Sequence, residues 1–176
     1  MVEQLPQIHL PFIQRMANVC NGWKADTRCA THGRMNNAIW LLAALPLWYF
    51  SAVTVPFSAG ALTVVPALGA LSLAIGAVLG VIQRRRRLLL FVLPFAFSEI
   101  LVAVAGVMRG QVPVTGDAVL NVGLLVFFAA QIAISGHLIY SIKGARASAA
   151  ALGVFSVSYA AFGVFVAAMS FTDNWL

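Results

Sequence analysis

Glu99 is the residue with the clearest potential for chemistry, because it is an acid near the middle of an otherwise apolar stretch, residues 88–108. If that stretch crosses a membrane, a charged side chain there costs about 2.5–3.5 kcal/mol on insertion scales and is usually functional or paired. Its neighbours at helical spacing, Ala96, Ala103 and Gly106, are small, so this face should contact protein rather than lipid. No cation lies at the same depth, and we therefore expect a protonated carboxyl group.

Further polar side chains fall near the depth of Glu99 if each apolar block is a helix with a rise of about 1.5 Å per residue. They are Tyr49, Ser72, Gln131 and Tyr159. Gln131 also shares an arc of about 80° of its helix with Asn121 and Ser135. This cluster has two interpretations. It is part of a proton or cation path, or the glutamate donates a structural hydrogen bond between helices, worth about 0.6–2 kcal/mol.

The cysteines and one histidine are weak candidates for a metal site. Cys20, Cys29 and His32 lie within thirteen residues, and Asp26 offers a fourth zinc or copper ligand. Paired CxxC or HxxxH units are absent, and two free thiols are the default on a reducing side of a membrane. We expect no bound metal.

His137 is the remaining histidine of interest. It lies about 120° around its helix from Gln131 and close to a helix end, so we expect it in the interfacial belt with Tyr140. Bis-histidine haem ligation needs a second histidine at matching depth, and the others, His9 and His32, precede the apolar blocks. No cofactor is predicted.

Catalytic motifs are absent from the sequence: it contains no HExxH, no GxSxG and no phosphate-binding loop. Ser135 and His137 are two residues apart and point about 200° apart on a helix, so they do not form a nucleophile and base pair. We therefore predict that the protein is not an enzyme.

Composition places the helices that carry these residues in a membrane. Of 176 residues, 61% are hydrophobic and 9% are charged, which leaves too little polar surface for a water-soluble globule. The net charge of +6 does not indicate nucleic-acid binding, because the basic residues sit between apolar blocks. The sequence predicts an all-α bundle of five spans. The spans cover about 38–57, 61–82, 88–108, 117–140 and 147–170.

Basic residues orient these spans. The run Arg84 to Arg87 and the pair Lys143 and Arg146 fall in alternate loops, together with four basic residues of the amino-terminal segment. Since short cytoplasmic loops retain Lys and Arg, the amino terminus should be cytoplasmic. The arginine run also suits anionic lipid headgroups at about 1 kcal/mol per residue, although fixing topology already explains it. Residues 55–60 must then form a tight hairpin between the first two spans. Otherwise the two blocks rearrange as a re-entrant pair, because one unbroken helix of that length does not fit the bilayer.

Residues 1–36 are predicted to be a cytoplasmic segment, with residues 37–176 as the single transmembrane bundle. From Pro11 to Lys24 the apolar residues recur at helical spacing, which predicts an amphipathic helix that lies on the leaflet or docks on a partner.

Small residues at four-residue spacing predict close helix contacts. On the second span they are Ser72, Gly76 and Gly80, and on the fifth they include Gly153 and Gly163. Pro46, Pro66 and Pro94 predict kinks, and an opening at Pro94 would bring water near Glu99.

These features favour a non-enzymatic inner-membrane subunit or assembly partner of a larger complex, held through small-residue faces. The alternative is a small homo-oligomeric channel or proton-coupled carrier that uses Glu99. A membrane enzyme ranks third. The expected partners are the lipid bilayer and other membrane subunits or further copies of the chain, with no nucleic acid.

Overall fold

The computed structural model describes residues 30–54, 61–109 and 118–172, and these residues are helical almost throughout, with no strand among them. Five α-helices follow one another: α1 (Ala30–Thr54), α2 (Ala61–Gln83), α3 (Val92–Met108), α4 (Ala118–Ser141) and α5 (Arg146–Thr172). A 3-10 helix over Arg86–Phe91 leads directly into α3. The all-helical fold is therefore confirmed. Helix α1 begins at Ala30, before the expected start at about 38, whereas the other four helices have boundaries close to those expected. The predicted amphipathic helix lies outside the described residues.

Four of these helical segments are long and apolar enough to cross a membrane: Thr63–Gln83, Arg86–Met108, Ala118–Ser141 and Arg146–Thr172. The protein is thus membrane-embedded, and large apolar side chains cover the outer surface of the described bundle. Within its described residues, helix α1 is not among these four.

Helix α5 is the centre of the bundle, which spans the unit Arg34–Leu176. Half of its most apolar stretch, 50%, is buried, compared with 17% for α4. Glycines let its neighbours approach closely. A Cβ atom on Gly76 of α2 would lie 2.9 Å from the Leu152 side chain of α5, and one on Gly153 of α5 would lie 2.7 Å from Ile139 of α4.

Contacts along α5 give the direction of three neighbouring helices. Phe91 lies beside Gly153 and Val102 beside Gly163, so α3 runs parallel to α5. Helix α4 runs antiparallel, because Ile139 contacts Gly153 whereas Leu124 belongs to the buried cluster that contains Ala167, fourteen residues further along α5. Helix α2 also runs antiparallel to α5. Its Gly69 lies beside Ser158, and its later Gly76 lies beside Leu152, which comes earlier in α5.

Helix α1 has a direction that the sequence did not predict. Its Tyr49 packs beside Tyr159, whereas Ala38 contacts Gly106 near the end of α3. Helix α1 is therefore antiparallel to α3 and α5, and it points the same way as α2. The expected antiparallel hairpin of the first two helices is wrong, since the packing of Leu41 and Tyr49 against the core formed by α3 and α5 fixes the direction of α1.

The two basic loops lie at one end of the bundle. A Cβ atom on Gly144, between α4 and α5, would lie 3.5 Å from Nη2 of Arg85, between α2 and α3. Both loops turn through positive φ angles, 87° at Gly144 and 47° at Arg84. Leu88, Ile142 and Ala145 join the buried cluster beneath them, so packing of the helix ends holds the loops together.

Candidate functional site

Among the described residues, one hydrogen bond joins two members of the predicted polar cluster, and these are Glu99 and Tyr159. The Tyr159 hydroxyl donates to Oε1 of Glu99. Glu99 projects from α3 and Tyr159 from α5, which run parallel at this level. Tyr159 is buried and Glu99 is half-buried, so the carboxyl group lies at the edge of the core rather than in it.

Aromatic rings surround this hydrogen bond. The ring of Phe95, one turn before Glu99, lies 4.6 Å from that of Tyr159 between centroids, and the ring of Tyr49 lies 5.1 Å from it. Phe155 and Phe162 of α5 complete the group, with centroids 5.8 Å and 5.5 Å from that of Tyr49. These edge-on and tilted pairs fill the junction of α1, α3 and α5.

A second hydrogen-bonded chain begins at Tyr49. Ser158 donates its only hydroxyl hydrogen to the carbonyl oxygen of Val65, 2.7 Å away. Its oxygen therefore accepts the hydrogen of the Tyr49 hydroxyl, 2.8 Å away. One serine thus connects α1, α2 and α5.

Gly69 makes this three-helix contact possible. A Cβ atom at this position would clash with the hydroxyl oxygens of both Tyr49 and Ser158. Sequence reasoning missed Gly69 and Ser158. Gly69 lies seven residues before Gly76, on the same helical face, so the predicted stripe of Ser72, Gly76 and Gly80 could have been extended to it.

The two chains do not join into one proton path among the described residues. One ends at the Glu99 carboxyl group, and the other ends at the Val65 backbone carbonyl. Between them, Tyr49 and Tyr159 meet through their rings. The site therefore offers one carboxyl group that accepts a hydrogen bond from a phenol, and this pair can bind or release one proton.

The other members of the predicted cluster lie elsewhere. Gln131 of α4 is 1% exposed, and its Oε1 has no hydrogen-bond partner among the described residues. Ser72 is half-buried on α2, and no described hydrogen bond connects it to Glu99. Pro94 lies in the first turn of α3, where the 3-10 helix becomes an α-helix. Its carbonyl oxygen accepts a 3.1 Å hydrogen bond from Ser98.

The predicted packing glycines contact different helices of the bundle. Gly76 lies against Leu152, and a Cβ atom on Gly80 would lie 3.3 Å from Leu88. On α5, Gly153 faces α4, and a Cβ atom on Gly163 would lie 3.7 Å from the Ser98 side chain of α3.

The weaker candidates contribute nothing to this site. Arg84, Arg85, Arg86 and Arg87 are exposed at the loop end of the bundle, and His137 is exposed on α4. Cys20 and Cys29, like the side chain of His32, lie outside the described part of the chain. Within that part, no group of three His, Cys, Asp or Glu side chains is placed to hold a metal ion.

The comparisons with known proteins identify no family for this bundle. Protein-family models, curated proteins and solved structures were each compared with the chain, and none matches it.

Proposed function

We propose that this protein is a non-enzymatic subunit or assembly partner of a larger complex in the cell inner (plasma) membrane. The observation that carries the proposal is an exposed face of α4, whose most apolar stretch is 17% buried. This face contains an amide and a glycine among apolar side chains. Its residues are Asn121, Leu125, Ala129, Ile132 and Gly136, all of them exposed.

The spacing of this α4 face is that of a helix contact. Steps of four, four, three and four residues keep its five members within an arc of about 80°. Gly136 has open space, since a Cβ atom there would meet nothing within 4 Å. By contrast, the space beside Gly76 and Gly153 is occupied by side chains of neighbouring helices.

A transmembrane helix of another subunit is the occupant that fits the α4 face best. Glycine and alanine let a second backbone approach closely, which is the main source of helix association in lipid. The Asn121 amide gains hydrogen-bond partners from a polar side chain or carbonyl of such a helix, and it gains none from hydrocarbon. In this proposal Glu99 holds α3 to α5 within the protomer.

The native mass of the tagged protein in a mild detergent, with co-purifying chains identified, tests this proposal. We expect different chains in fixed stoichiometry, and we expect Gly136→Phe to release them by filling the contact. Gly123→Phe is the matched control, because Gly123 also has open space but lies about 160° around the helix from the centre of the face. A clean homo-oligomer, or equal effects of both variants, contradicts the proposal.

A second candidate is a small homo-oligomeric channel or proton-coupled transporter that uses Glu99. The half-buried carboxyl group, with its hydrogen bond from Tyr159, favours this candidate because the pair can exchange a proton. Measurement of pH-dependent flux in liposomes tests it. Glu99→Gln should abolish the flux while Gln83→Glu, at the loop end of α2, leaves it intact. Flux that survives Glu99→Gln excludes a role of Glu99 in transport.

A further inference from the structure

Direct hydrogen bonds join α5 to α1, α2 and α3. Ser148 donates to the carbonyl oxygen of Gly76 in α2, 2.9 Å away. Ser158 bonds α1 and α2, and Tyr159 bonds α3. Among the described residues, no such bond joins α5 to α4.

Buried oxygen atoms without such a bond nevertheless occur on both α4 and α5. Gln131 is 1% exposed, and Ser135 and Ser156 are each 2% exposed. The Oε1 atom of Gln131 and the Oγ atoms of both serines have no hydrogen-bond partner among the described residues. A buried polar group left without a partner costs about 1–3 kcal/mol, so these buried oxygen atoms need an explanation. Oγ of Ser170, further along α5, is also without a partner among the described residues.

Helix register brings Ser135 and Ser156 to one level, with Gln131 one turn away. Gly153 of α5 contacts Ile139 of α4, and the two helices are antiparallel. One turn along both helices from that contact, Ser135 comes opposite Ser156. Gln131 follows one further turn along the same face of α4 as Ser135.

We propose that an ordered water molecule is bound in the α4–α5 seam by Gln131, Ser135 and Ser156. A water molecule donates two hydrogen bonds and accepts two. It can donate to Oε1 of Gln131 and to one serine oxygen while it accepts the hydroxyl hydrogen of the other serine. Three protein partners are typical of a buried water molecule. The site is distinct from the α4 face proposed for the partner helix, which lies on the exposed side of α4.

X-ray radiolytic hydroxyl labelling of the full chain in nanodiscs, followed by mass spectrometry, tests this water site. A bound water molecule generates hydroxyl radicals where it sits, so the neighbouring Ile139 should be labelled despite its packing. Gln131→Met keeps the side-chain volume but removes the polar atoms. It should reduce labelling of Ile139 to that of a buried residue with no water molecule nearby. Ser148→Ala is the matched control, because Ser148 is equally buried but directly bonded to α2.

A measurement on the unaltered chain keeps the test independent of variant folding. After a brief transfer into ¹⁸O-water, a bound molecule should deliver ¹⁶O to Ile139 for longer than bulk water delivers it to exposed residues. No labelling at the seam overturns the proposal and indicates serines bonded to their own helices. Labelling lost equally in Gln131→Met and Ser148→Ala also overturns it, since that result reports a general change of packing.

Discussion

The hydroxyl group of Tyr159 donates a hydrogen bond to the carboxyl group of Glu99, and this bond connects the central helix α5 to α3. It places the one acid of the described spans against a phenol and a wall of aromatic rings. Glu99 has a hydrogen-bond donor and, in the part of the chain that the structure describes, no paired cation, which is why it can serve either as a structural contact or as a proton-binding group.

Removal of the phenol hydroxyl should weaken the α3–α5 contact. Tyr159→Phe keeps the ring packing but leaves Glu99 without its donor, so we expect the free energy of unfolding in micelles to fall by about 1–2 kcal/mol. Tyr140→Phe is the control, since Tyr140 is 75% exposed and should change stability little. Equal effects of the two variants would show that the hydroxyl contributes nothing specific.

Glutamine at position 99 should preserve the fold. In Glu99→Gln the amide oxygen still accepts from Tyr159, so we expect the free energy of unfolding to change by less than about 1 kcal/mol. A double-mutant cycle with Tyr159→Phe measures the coupling between the two side chains. Coupling near zero would contradict the hydrogen bond as a stabilising contact.

Gly69 and Gly136 should respond in opposite ways to the same substitution. Gly69→Ala places a methyl group on the hydroxyl oxygens of Tyr49 and Ser158, and forced repacking of this kind costs about 1–3 kcal/mol. Gly136→Ala meets open space, so the isolated protomer should be unchanged or stabilised by up to about 1 kcal/mol. Thermal unfolding of both variants in the same micelle checks the prediction, and a tolerated Gly69→Ala would refute the close three-helix contact.

Arg84 is a position where glycine should stabilise the protein. Its φ angle of 47° is left-handed and costs a non-glycine residue about 1–2 kcal/mol. Arg84→Gly should therefore raise the free energy of unfolding by about 1 kcal/mol, while three arginines remain in the loop. Arg86→Gly, in the adjacent 3-10 helix, provides a control that we expect to be destabilising or neutral. A lower melting temperature for Arg84→Gly would argue against backbone strain at this turn.

Hydropathy was sufficient to predict the five helices, apart from the start of α1 at Ala30, because the apolar blocks are long and their ends carry Arg, Lys or Gly. Depth arithmetic placed Glu99 and Tyr159 at one level, and they form a hydrogen bond. It placed Gln131 there as well, but level says nothing about which side of α5 a helix occupies. Gln131 is on α4, whereas the Glu99 cluster forms where α1, α3 and α5 meet. That arrangement depends on tertiary packing, which no single helix encodes.

The shared direction of α1 and α2 limits how far both can penetrate the bilayer. From Thr54 to Ala61 the chain makes seven Cα steps, which extend to at most about 25 Å, and the hydrocarbon core is about 30 Å thick. If two helices that point the same way each traversed the full core, the linker would have to return across it, and this linker is too short to do so. The four segments from Thr63 onward are each long and apolar enough for a complete crossing. An even number of crossings brings the start of α2 and the end of α5 to the same leaflet, opposite the arginine run.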